Sequence, residues 1–220
     1  MPPSAALQVR GVKITTLAYQ AICISHSTGA DGETVGRAVA ERLGFRYVDN
    51  EVIAEAAEWA ELDPALVADV ERRQPLVARL LGSIGEQSSA TRLPTGDSPR
   101  GLPTDADLRH LITDALRTFA EAGSVVIVAH AASFALAGRD VLRVLVTATP
   151  ETRAKRIGEA RGIDERGAAK AVKQEDAGRA DYLKRFYGVE RELPTQFDVV
   201  INTDTLTPAR AVEIVVAAAA

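Results

Sequence analysis

The chain has 220 residues, 46% of them apolar and 25% charged, with a formal net charge of −4. This balance argues for one soluble, folded domain, against wholesale disorder and against a generic nucleic-acid binder. A single cysteine, Cys23, excludes an intrachain disulfide framework. No apolar run reaches the ~18 residues of a membrane span, and residues 1–10 lack the basic and apolar halves of an export signal, so the expected compartment is the cytoplasm.

In chain order, an extension over residues 1–18 precedes Ala21–Ile24, a short apolar run that reads as a buried strand. A small, polar turn from Ser25 to Gly32 follows. Val35, Ala38, Val39 and Leu43 then repeat at helical spacing, with Gly44 at the C-cap position. Phe45 to Val48 reads as a second strand, and 51–60 and 63–81 read as helices, the latter with a break at Pro75. Residues 82–103, dense in Gly, Ser, Thr and Pro, predict a mobile loop. Leu108, Leu111, Ile112, Ala115, Leu116 and Phe119 line one face of a helix closed by Gly123. Ser124–Ala129 is apolar on both faces, as a strand in the middle of a parallel sheet must be. Val141–Thr147 is a fourth strand. Thr149-Pro150 and Asp164 open two successive helices, Phe197–Ile201 is a fifth strand, and Thr207-Pro208 opens a terminal helix.

Five short buried strands separated by helices predict a doubly wound α/β domain with a parallel sheet. Ligands in such sheets bind beyond the carboxyl ends of the strands. The segment after the first strand, Ser25-His26-Ser27-Thr28-Gly29-Ala30-Asp31-Gly32-Glu33-Thr34, therefore draws attention. A glycine turn between strand and helix lets backbone N–H groups converge on an anion at a helix N-terminus. Against the pattern G-x-x-x-x-G-K-[ST], it keeps Gly32 and Thr34 but has Ser27 at the first glycine and Glu33 at the lysine. Such turns also occur without phosphate, so the loop alone leaves both readings open.

Four further blocks carry a more specific resemblance. The start, from Ile24 through Gly36 to the Tyr47-Val48-Asp49-Asn50-Glu51-Val52-Ile53 segment, resembles the opening of the cytidylate kinase-like family of P-loop proteins. Val126–Leu136, Val144–Ile157, Asp176–Gly188 and Phe197–Thr203 are similar to later blocks of that family, in the same order. The resemblance implies one P-loop nucleoside-monophosphate-kinase-type domain over residues 1–220, with a mostly five-stranded parallel sheet and a helical lid over 153–180. It implies ATP and Mg²⁺ as cofactors and a small-molecule nucleotide as ligand, with no nucleic-acid or membrane partner, and it admits a homo-oligomer. Ser27, Thr28, Gly29, Ala30, Asp31, Gly32, Glu33 and Thr34 would wrap the donor phosphates, with the Thr34 hydroxyl on Mg²⁺. Asp49 and His130 would face the acceptor. Arg153 and Arg156, three apart on one helix, would close over the phosphates. Asp176 and Arg179 would form a lid-side pair, with Arg179 reaching phosphate.

Each residue also has a plainer reading. The arginines suit a solvated helix face, Asp49 a helix cap, and His130 a half-buried structural histidine. The departures are chemical: Glu33 replaces a cation, Asp31 adds a second negative group, and His26 and His130 stand where the family has arginine. The chain has five lysines, none between residues 14 and 154. Any cation for a phosphate at the loop is thus an arginine or a histidine. Two functions follow: an ATP-dependent phosphotransferase acting on a nucleoside monophosphate or similar acceptor, or a degenerate P-loop protein that binds a nucleotide or partner without transfer.

Overall fold

The computed structural model describes residues 17–49, 105–129 and 131–220. The expected helices over 51–60 and 63–81, the 82–103 loop and His130 lie outside the described residues. Five strands, β1 (Ala21–His26), β2 (Arg46–Val48), β3 (Val125–Val128), β4 (Leu142–Thr147) and β5 (Val199–Asn202), form one sheet in the order β2-β3-β1-β4-β5. Every pairing is parallel. The described helices are α1 (Gly32–Leu43), α2 (Asp105–Ala122), α3 (Ala132–Ala135), α4 (Pro150–Arg161), α5 (Glu165–Tyr187) and α6 (Pro208–Ala219).

Both faces of the sheet are covered over its inner strands, which is why β3 and most of β1 and β4 are apolar. Alternation along each strand sends Ala21, Cys23, Val125 and Ile127 to one face, against α2, α3 and the end of α5. Ile22, Ile24, Val126, Val128, Val144 and Val146 go to the other, against α1 and α6. Burial pushes the Cys23 thiol well above its ordinary range, so this cysteine is an inert core residue.

The predicted starts of α4, α5 and α6 coincide with observed caps: Thr149, Asp164 and Thr207 each accept a backbone N–H in the first turn. α4 and α5 pack on each other through Ala154, Ile157, Ala168 and Val172. This pair contains the 153–180 segment expected as a lid, and it reaches the loop that follows β1. The short helix α3 was not anticipated; its four residues are too few to show a periodicity. No described helix is long and apolar enough to cross a membrane.

Candidate functional site at the loop after the central strand

The loop leaves the carboxyl end of β1, the central strand, and enters α1 at Gly32. Gly29 (φ 80°) and Asp31 (φ 62°) are both left-handed, and their alternation with ordinary residues curls the chain into a concave nest. For an aspartate that conformation is strained and persists only where the surroundings impose it. Of the N–H groups from Ser27 to Thr34, only those of Ser27 and Ala30 reach a backbone carbonyl among the described residues, on Val146 (3.1 Å) and Ser27 (2.9 Å). Gly32, Glu33 and Thr34 lie in the first helical turn, which has no intrahelical acceptors, and Asp31 makes no side-chain cap. Thr28, Gly29, Asp31, Gly32, Glu33 and Thr34 thus present a row of N–H donors.

The carbonyls of the same segment are held by groups outside the loop. Arg179 donates to the His26 carbonyl. Arg153 reaches that of Thr28 (3.4 Å), and Arg156 that of Gly29 (3.2 Å). The Thr203 hydroxyl lies 3.1 Å from the Ala30 carbonyl. Arg156 in turn donates to the Thr203 hydroxyl (3.0 Å) and carbonyl (2.7 Å). Four side chains, two from α4, one from α5 and one just after β5, therefore fasten the loop by its oxygens and leave its N–H groups available.

Two glycines make this approach feasible. A Cβ on Gly29 would sit 2.9 Å from the Arg153 carbonyl oxygen, and one on Gly32 would sit 2.2 Å from the His26 Cβ. The second contact is closer than any real Cβ tolerates.

The three predicted arginines do converge on the loop, but in an arrangement that corrects the sequence reading. Asp176 and Arg179 do not pair with each other. Asp176 faces α4 and forms a two-pronged bond with Arg153 (2.8 and 2.5 Å), whereas Arg179 extends to the foot of β1 and pairs with Glu192. Arg153 is not on a solvated face: its side chain is 4% exposed and its Nε has no described partner. Arg156, 27% exposed, also forms an ion pair with Asp31 (3.2 Å). That pairing offsets the Asp31 charge at the loop rim. Glu33 and Thr34 are exposed to solvent at the start of α1. Asp49 follows β2 and lies 3.7 Å from Arg37, which also stacks on the Tyr47 ring at 4.2 Å. Burial and the Asp49 charge push the Tyr47 hydroxyl up to about 12.

His26 is likewise not a stand-in cation. Burial, then the adjacent Arg179 charge, lowers its pKa; the Ser27 carbonyl, Glu33 and Glu192 oppose this only in part. Because the folded pKa lies below the unfolded one, the fold is fully stabilised above about 6.5 and loses stability as pH falls through the depressed value. Thermal melts between pH 8 and 5 are expected to show this acid loss, and His26→Gln to flatten it.

Sequence reasoning missed Glu192, Ser25 and Thr203 as members of the site. Thr203 had a signal, since it follows the carboxyl end of the fifth strand. Glu192 had none: its partners Ser25 and Arg179 are 167 and 13 residues away.

A parallel α/β sheet whose central strand feeds a glycine nest and a helix, braced by a two-helix lid, is the P-loop nucleoside-monophosphate-kinase type of fold. The chain belongs to the cytidylate kinase-like family, whose model matches residues 21–205. A cytidylate kinase of Methanocorpusculum labreanum is 23% identical over 198 residues, covering 84% of this chain and 88% of that one. Among solved structures, an uncharacterized protein from Eubacterium ventriosum superposes with a TM-score of 0.61 at 18% identity, over 90% of this chain and 96% of that one. A sugar kinase from Janibacter sp. HTCC2649 gives 0.50 at 13% identity, over 90% and 93%. These two likenesses concern the fold.

Proposed function

We propose that the chain is a nucleotide-binding phosphotransferase that moves the γ-phosphoryl group of ATP to a nucleoside monophosphate or a similar small acceptor. The observation that carries this reading is the division of the loop after β1, with its carbonyls held from behind and six N–H groups presented on the other side. Such a row at a helix N-terminus fits an oligophosphate. The Thr34 hydroxyl, exposed at that terminus, fits a ligand for Mg²⁺, which would neutralise charge on the phosphates. Arg156, at the loop rim and 27% exposed, would exchange Asp31 for a phosphate oxygen. Arg153 and Arg179 would act by holding the loop, and Asp176 by holding Arg153. Asp49 and His130 remain the candidates for the acceptor side.

One observation favours the degenerate alternative: Glu33 stands where the pattern has a cation. Titration with ATP–Mg²⁺ by calorimetry, with turnover assayed over a panel of nucleoside monophosphates, separates the two. The phosphotransferase reading expects binding below millimolar concentration and turnover with at least one acceptor. Glu33→Lys, which changes a solvent-exposed charge by two units, is expected to tighten that binding about tenfold. Binding seen only in Glu33→Lys, with none in the native chain, would support the degenerate reading.

A further inference from the structure

Glu192 lies in the connection between α5 and β5, two residues before the short 3₁₀ turn Pro194–Gln196. Its side chain is only 7% exposed, beside an Arg179 that is 14% exposed. The two carboxylate oxygens divide their work. Oε1 accepts the Ser25 hydroxyl at 2.6 Å, and Oε2 accepts Arg179 Nε at 2.7 Å. Arg179 also donates to Ser25 Oγ at 2.7 Å and to the His26 carbonyl. Ser25 itself is fully buried within β1.

A guanidinium at this depth requires a carboxylate, and charge-assisted bonds of this kind fix its plane as well as its place. The fixed plane holds the His26 carbonyl at the point where strand gives way to loop. The N–H of that same peptide, Ser27's, is directed at the Val146 carbonyl, so both ends of one peptide plane are held. We propose that Glu192 is a positioning residue for the loop: through Arg179 it sets the peptide orientation at the loop entrance, and with it the direction of the N–H groups beyond. The importance of this to catalysis rests on the phosphate reading of the loop, but its effect on loop order does not require a nucleotide.

The test uses the full chain with Glu192→Gln, Glu192→Asp and, as a comparison, Asp198→Asn, which breaks the separate Arg143–Asp198 pair. Amide exchange is read by NMR at Ser27 and Ala30, the two loop donors with backbone partners, and ATP–Mg²⁺ affinity by calorimetry. Glu192→Gln is expected to speed exchange at both amides about tenfold or more while Val215 in α6 changes less than about twofold. ATP–Mg²⁺ affinity falls about tenfold in the same variant, and Glu192→Asp, which keeps the charge, is intermediate in both readouts. Asp198→Asn lowers the melting temperature without altering exchange at Ser27 and Ala30. Unchanged exchange at those amides, or acceleration spread evenly over the chain, would overturn the proposal. If Glu192→Gln does not fold, the same comparison in Glu192→Asp decides it. A native chain that takes up no ATP–Mg²⁺ but shows the localised exchange effect leaves the positioning role standing and removes the phosphate reading.

Discussion

Gly32→Ala is expected to abolish measurable nucleotide binding. The added methyl carbon would lie 2.2 Å from His26 Cβ and 2.4 Å from its Cγ, both far inside van der Waals contact. His26 cannot retreat easily, because Arg179 holds its carbonyl and the imidazole lies within 3.4 Å of the Ser27 carbonyl. The loop must move instead, which rotates the N–H row away from a common centre. Overpacking of this kind costs about 1–3 kcal/mol of stability. The functional loss is larger, since a displacement of about 1 Å in a positioned group can cost ~100-fold. His26→Gly removes the clashing Cβ, so the Gly32→Ala, His26→Gly double variant is expected to recover part of the affinity. Calorimetry on the two single variants and the double completes a cycle, and simple additivity would show that the steric account is wrong.

The second large effect is an asymmetry within one ion pair. Arg153 is almost wholly buried at 4% exposure, whereas its partner Asp176 is 46% exposed. Asp176→Asn therefore strands a buried guanidinium whose Nε already lacks a described partner. Removing one side of a buried pair costs about 3–5 kcal/mol, and the solvent access of Asp176 places this case near the lower end, at about 3. Arg153→Met removes the buried charge itself and leaves only an exposed carboxylate. It loses the bond to the Thr28 carbonyl but is expected to cost no more than about 1 kcal/mol. At roughly 2–4 °C per kcal/mol for a chain of this size, the melting temperatures of the two variants should differ by several degrees, with Asp176→Asn the lower. Equal losses would mean that the pair contributes through direct attraction and not through the burial of Arg153.

Most of the architecture is legible in the sequence because it rests on local rules. Pro150 and Pro208 after threonines, and Asp164 before α5, mark helix starts by chemistry that needs no tertiary contact. The all-apolar Val125–Val128 run announces a strand covered on both faces. The glycine loop is also readable as a turn between strand and helix, from Gly29 and Gly32 after an apolar run. The side-chain partners are not readable in the same way. Helical spacing correctly puts Asp176 and Arg179 on neighbouring positions of α5, yet it does not say that α4 claims one and the α5–β5 connection claims the other. The burial of Arg153 follows from how α5 crosses α4, a relation with no trace in the α4 sequence alone. Glu192 shows the limit most clearly: an ordinary acidic residue in a connection becomes a buried counter-ion only because β1 and α5 meet beside it. The lysine-poor composition keeps its chemical meaning in altered form. The arginines that replace lysine at the site are engaged in holding the loop, with Arg156 the most exposed of the three.

The loop from Ser27 to Thr34 is expected to bind phosphate through its backbone N–H groups. The most direct measurement is a titration of the 220-residue chain with inorganic pyrophosphate plus Mg²⁺, and then with ATP–Mg²⁺, followed by backbone amide NMR. The expected result is saturable shifts concentrated at Thr28, Gly29, Asp31, Gly32, Glu33 and Thr34, with the core strand amides unmoved. Loop amides that stay in place at millimolar ligand, or shifts confined to another surface, would contradict it.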